Sequence, residues 1–143
     1  MINLILRGGS PENAGHYEGV VSDGSTSYRA GMAIYLDSAG KAKPCGGATN
    51  ANKVYGIVCE DTDKSAPSVL VLKVEKDMIF KCPITGTNAS KLYKGMKLAI
   101  NTTDYGSVAT AATTLGADYV GATVVETLEA ANAGDRIEVR FEN

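Results

Sequence analysis

The sequence predicts an all-β fold: a small β-barrel or sandwich of about ten short strands, with an internal pseudo-repeat and little helix. Three observations carry this. Apolar and polar residues alternate over short stretches, and no apolar stripe at helical spacing reaches a useful length. Sixteen glycines punctuate those stretches as turn formers. Finally, Gly31-Met32 opens a run of alternating aliphatics, a turn at Asp37-Ser38-Ala39-Gly40, and a return through Val54-Tyr55-Gly56-Ile57-Val58-Cys59-Glu60. About 65 residues later Gly95-Met96-Lys97-Leu98-Ala99-Ile100, Gly106-Ser107-Val108 and Gly121-Ala122-Thr123-Val124-Val125-Glu126 repeat that order.

In chain order, Ile2 to Leu6 reads as a short strand or an arm, followed by a loop rich in turn formers to His16. Tyr17 to Val21 is a strand stopped by Ser22-Asp23-Gly24-Ser25. The first repeat unit follows, then Ser68 to Lys76, the most strand-like segment. There Leu70, Leu72 and Val74 share one face and Val69 and Val71 the other, so this strand is expected to start buried on both faces and emerge to solvent. Met78, Phe80 and Cys82 alternate inward up to Pro83, which ends the strand. Thr87 to Tyr93 reads as a helical turn and Thr110 to Ala117 as a loop. The last strand, Asp135 to Phe141, turns Ile137, Val139 and Phe141 inward.

At 143 residues the chain has room for one ordinary core, and 44% hydrophobic against 21% charged residues argues against disorder. The net charge of −2 and the lack of any Lys/Arg run give phosphate backbones nothing to bind, so no nucleic acid is expected as a partner. No apolar run approaches the roughly 20 residues that cross a bilayer, and Met1 to Arg7 is too short for a signal peptide. The expectation is a protein made and kept in a cytoplasm, with no membrane partner.

Chemistry-bearing patterns are sparse. The single histidine, His16, sits in a Gly-rich loop with no nucleophile motif, and reads as exposed. Asp61, Asp63 and Ser65 imitate the start of a calcium loop, but Ala66 and Leu72 stand where that loop needs Gly and Glu. Glu60, Asp61 and Asp63 therefore read as a solvated acidic turn. Gly40-Lys41 lacks the remainder of a phosphate-binding loop. Cys45, Cys59 and Cys82 lack metal-ligand spacing and read as buried thiols. The seven tyrosines fall at strands or strand entrances, as barrel packing requires, with anchors at a subunit contact as the alternative. No catalytic residue, cofactor or metal is expected.

From about Tyr17 to Phe141 the chain resembles the small capsid cement (head decoration) proteins of tailed bacteriophages. The resemblance lies in an ordered series rather than in one motif: Ala30-Gly31-Met32, Val54-Tyr55-Gly56-Ile57-Val58, Met78-Ile79-Phe80-Lys81-Cys82-Pro83 and Lys94-Gly95-Met96-Lys97-Leu98. It continues through Gly106 to Thr110, Tyr119 to Val124 and Ala133 to Phe141. It implies a β-barrel-like cement domain over 17–143, oligomerising as a homotrimer on the exterior of an expanded capsid, with the major capsid protein as partner. Such a virion protein bridges neighbouring shell subunits and catalyses nothing. A virion-displayed β-domain that binds a host-surface glycan is the alternative.

Residues 1–16 exceed the family pattern and form an N-terminal arm or extension. Ile2, Asn3, Leu4, Ile5, Leu6 and Arg7 are the candidate contact with the capsid or a neighbouring subunit, as a strand added to a neighbour's sheet edge. Burying the four aliphatic side chains contributes roughly 6–12 kcal/mol at about 1.5–3 each, and ordering five residues offsets about 5–10 kcal/mol. A strand within the chain's own sheet is the competing reading.

Overall fold

The computed structural model describes residues 2–7, 16–47, 51–76, 78–85, 92–108, 121–128, 130 and 132–141, with 3–7 as backbone. The expected helical turn lies largely, and the expected loop wholly, outside these residues. Ten strands and no helix occupy the described chain. They are β1 (Asn3–Arg7), β2 (Tyr17–Ser22), β3 (Ala33–Leu36), β4 (Lys41–Pro44) and β5 (Gly56–Val58). There follow β6 (Ser68–Lys73), β7 (Met78–Pro83), β8 (Lys97–Leu98), β9 (Ala122–Glu126) and β10 (Arg136–Arg140). Strands β2-β4-β3-β5-β6 close into a barrel, and β1-β7-β10-β9-β8 form a second sheet.

The two sheets are one topology used twice, and the repeat is longer than the sequence suggested. β7 follows the path of β2, β8 that of β3, β9 that of β5 and β10 that of β6. The fourth strand survives in the second unit as single bridges at Val108. In the first unit Ala42 pairs in parallel with Ser22 and antiparallel with Leu36. Val108 does the same with Ile84 and Ile100. Backbone bonds agree: Ser22 N–H donates to the Pro67 carbonyl at 3.0 Å, and Ile84 N–H to that of Asp135 at 2.9 Å.

Each unit opens on the same Gly-Met turn. Gly31 N–H donates to the Val58 carbonyl and Val58 N–H to that of Met32, at 2.7 and 2.8 Å. Gly95, Val124 and Met96 repeat this at 2.8 Å for both bonds. Gly31 and Gly95 hold φ of 90° and 87°, a region where a Cβ clashes, so glycine is required at both places. Pairing across the sheet also aligns the units, because Ile34 faces Gly56 and Leu98 faces Ala122. The structural counterpart of Gly56 is thus Ala122, one residue beyond the glycine that the sequence echo suggests.

Interior residues correspond as well. Val20, Met32, Ile34, Ala42, Val58, Val69 and Val71 fill the first barrel, around the fully buried ring of Tyr28. Cys82, Met96, Leu98, Val108, Val124, Ile137 and Val139 are buried at the matching positions of the second. Phe80 and Phe141 add an edge-to-face pair with centroids 5.3 Å apart. The second core continues into the junction, where Ile2, Ala33, Cys45, Val54, Ile57, Leu72 and Val74 pack against it.

The junction corrects one expectation. Leu70, Leu72 and Val74 do lie on one face of β6, but burial runs opposite to the forecast. The strand begins with Ser68 and Leu70 exposed and becomes buried at Leu72 and Val74, where the second unit covers it. Val69 and Val71 face the barrel interior throughout, a double burial that hydropathy alone does not order in space.

β5 and β6 approach closely at Gly56, where an added Cβ meets the Leu72 carbonyl oxygen at 2.9 Å and Val71 Cγ2 at 3.2 Å. Gly19 on β2 has nothing within 4 Å. Gly56→Ala is expected to cost about 1–3 kcal/mol by overpacking. Gly19→Ala is expected to be neutral or stabilising by up to about 1 kcal/mol. Urea unfolding of the two variants checks the contrast.

Candidate functional site: an edge strand, a bare barrel face and the junction cleft

β1 is placed in the chain's own sheet. It pairs antiparallel with β7, Asn3 opposite Lys81 and Leu4 opposite Phe80, then Leu6 opposite Ile79 and Arg7 opposite Met78. The register slips between Leu4 and Leu6, leaving a bulge at Ile5. Ile2 ahead of the strand is buried and donates its N–H to the Gly31 carbonyl, so it ties the start of the chain to the first barrel. β1 ends the strand order, and among the described residues no strand pairs with its outer edge. Candidate residues Ile2 to Arg7 are thus brought together as an edge strand, not a detached arm.

Sequence reasoning missed a second surface. Tyr17, Gly19 and Val21 point outward from β2, and Leu70 lies opposite Gly19 on β6. Tyr17 and Val21 are 59% and 55% exposed and Leu70 37%. The matching positions of the second unit carry Ile79, Lys81, Pro83 and Glu138, so the fold itself does not demand an apolar residue at each of them. Alternation along β2 was visible in the sequence, but not that its apolar residues stand on the outer face.

A cleft of about 550 Å³ opens where the turn after β2 meets the 101–107 hairpin of the second unit. Ala30, Met32, Pro44 and Tyr105 give it an apolar floor, and Ser27, Arg29, Asp61, Thr103 and Asp104 a polar rim. The acidic turn divides its work. Asp61 accepts the Ala30 N–H at 2.9 Å and faces the Arg29 guanidinium at 3.4 Å. Asp63 accepts the Ser65 N–H, and that bond holds its carboxyl below the ordinary range. On the other wall Asp104 accepts from Gly106 N–H and the Ser107 hydroxyl. Among the described residues no group of three or more His, Cys, Asp or Glu is placed to hold a metal.

Tyr105 is strained, with φ of 54°. Its N–H donates to the Asn101 carbonyl at 2.9 Å, as Gly40 N–H donates to that of Asp37 in the first unit. Its carbonyl accepts the Ala33 N–H at 2.8 Å, which fastens one unit to the other. The ring lies so close to Gly46 that a Cβ there would sit 3.0 Å from it. Each turn holds one left-handed residue, Gly40 at φ 77° in the first unit and Tyr105 at φ 54° in the longer turn of the second.

The remaining candidates are structural in their contacts. His16 is exposed, 3.9 Å from the Glu75 carboxylate, and its carbonyl accepts the Lys73 N–H. Tyr28 donates its hydroxyl to the Ala42 carbonyl at 2.9 Å, while Tyr93 is exposed. Cys45 and Cys82 are buried and Cys59 is half-buried, all three as free thiols. Burial pushes the Cys82 thiol up to about 12, and burial with the nearby Glu60 charge raises that of Cys59. No known protein-family model, curated protein or solved structure matches the chain.

Asp23 organises the turn that carries Thr26 and Ser27 to the cleft. Its side chain is 3% exposed and accepts from the Ser25 and Thr26 amides and the Thr26 hydroxyl, with Lys43 at 3.7 Å. Burial alone raises a carboxyl, but these hydrogen bonds together prevail and lower it to about 2. A depressed folded-state value gives stability that is complete above the unfolded value of 3.8 and is lost as pH falls toward 2. Thermal melts between pH 5 and pH 2 are expected to fall less steeply for Asp23→Asn, which also melts lower at neutral pH. In native protein at pH 7, a thiol-alkylating reagent is expected to leave Cys45 and Cys82 unmodified, with full modification only in urea; peptide mass analysis reads this.

Proposed function

We propose that this chain is a structural virion protein that binds the outside of an expanded phage capsid and bridges neighbouring major capsid subunits. It acts as a homotrimer and by contact alone. The observation that carries this reading is the outer edge of β1, at the end of the β1-β7-β10-β9-β8 sheet, with which no strand pairs among the described residues. An edge offers unpaired N–H and C=O groups in register for a partner's extended segment. The bulge at Ile5 bends that edge, so it offers two short stretches instead of one long one. Such pairing is modest at one site and effective when hundreds act together on one shell.

Two further features support it. The ordered residues on which the resemblance to cement proteins rests run through both units, not just one. The face bearing Tyr17, Val21 and Leu70 supplies an exposed apolar surface, bordered by Lys41 opposite Val21, suited to contact between copies. The edge then meets the shell and the face meets the neighbouring copy.

Ile5→Pro is expected to melt within a few degrees of the parent, because it alters a residue already outside the β1–β7 register. It is expected to dock on shells lacking the protein at least 10-fold more weakly in a sedimentation assay. Equal docking by the variant removes the edge from the mechanism. Leu70→Glu is expected to convert a trimer to monomers in size-exclusion chromatography with light scattering, without loss of fold.

A further inference from the structure

The junction cleft has a composition that neither edge pairing nor trimer contact uses. We propose that it binds a neutral saccharide of one or two sugar residues. The inference does not rest on shell binding.

The chemistry of the lining selects that class. A pyranose has an apolar C–H face and a rim of vicinal hydroxyls that both donate and accept. Met32, Pro44 and the Tyr105 ring form the apolar floor against which such a face packs. Arg29 and Asp61, 3.4 Å apart, set a planar donor beside a planar acceptor, the pairing that adjacent hydroxyls match. Thr103 and Ser27 are exposed hydroxyls on opposite walls. The rim carries one cation and two carboxylates, so a phosphate, sulfate or sialic acid meets repulsion from Asp61 and Asp104. A free cation meets Arg29. The volume of about 550 Å³ lies within the range of small-ligand sites.

The repeat provides an internal comparison. By the alignment of the two units, Arg29, Ala30 and Asp61 correspond to Tyr93, Lys94 and Thr127. The second unit has the same turn and the same strand pairing but spans it with a different ion pair, Lys94 to Glu126 at 2.6 Å. The guanidinium–carboxylate geometry stands where the two units meet and the cleft opens.

The test uses the full-length protein with a panel of neutral hexoses, N-acetylhexosamines and their disaccharides, together with sulfated and sialylated counterparts. Saturation-transfer NMR is expected to mark at least one neutral sugar, with its C–H protons nearest the protein. Arg29→Ala and Thr103→Val, both exposed, are each expected to weaken that binding at least 10-fold while the thermal midpoint stays within a few degrees. Arg29→Ala is expected to dock on shells as the parent does, so loss of sugar binding and loss of docking are separable. No transfer to any neutral sugar, preference for the anionic counterparts, or binding unchanged in both variants overturns the proposal.

Discussion

The first barrel closes through β4, where Ala42 belongs to two pairings at once, and the second unit keeps the same double pairing at one residue. Ala42 joins β2 in parallel and β3 antiparallel, and Val108 joins Ile84 and Ile100 in the same senses. A ring this narrow has little interior volume, so its inward positions take small and β-branched side chains. Ala42, Val20, Val58, Val69 and Val71 meet that limit in the first unit, with Tyr28, Met32 and Ile34 as the larger side chains. The second unit replaces the fourth strand by bridges and meets its volume with Phe80, Phe141 and the larger aliphatics.

The junction joins the closed barrel to the second sheet through a shared apolar core. Leu72, Val74, Ile57 and Val54 leave the first unit to share a core with the second, and Ile2 joins them from the start of the chain. Above that apolar contact the Tyr105 carbonyl holds the Ala33 N–H. The left-handed backbone at Tyr105 costs about 1–2 kcal/mol, and burial of its ring edge against Gly46 together with two backbone bonds offsets it. The shared core and the backbone bond from Ala33 to Tyr105 tie β1 and the cleft to both units.

Much of this was legible in the residues. The alternation of Met78, Phe80 and Cys82, and of Ile137, Val139 and Phe141, identifies inward faces because period two leaves no other choice. Gly31-Met32 and Gly95-Met96 mark the repeat because a left-handed turn admits little but glycine. The outer strands of the repeat carry no signature, since Tyr17 to Ser22 and Ile79 to Ile84 share inward positions at Val20/Cys82 and Ser22/Ile84 but no identity. Burial along β6 was read backwards because hydropathy registers a covered face without saying which end is covered. The cleft had no signature at all: Arg29, Asp61 and Thr103 are ordinary loop residues until two turns far apart in sequence meet.

Under the proposed function the two units act as one block whose β1 edge, unpaired among the described residues, takes up a shell segment, an effect multiplied by the number of copies on a shell. Its most direct test is mechanical. Expanded shells lacking the protein are saturated with it, freed of excess and challenged by heat or osmotic shock, with release of packaged DNA as the readout. The account predicts release at a higher temperature, or after a larger shock, than from bare shells. Shells that carry the protein and still open with the bare ones would contradict it.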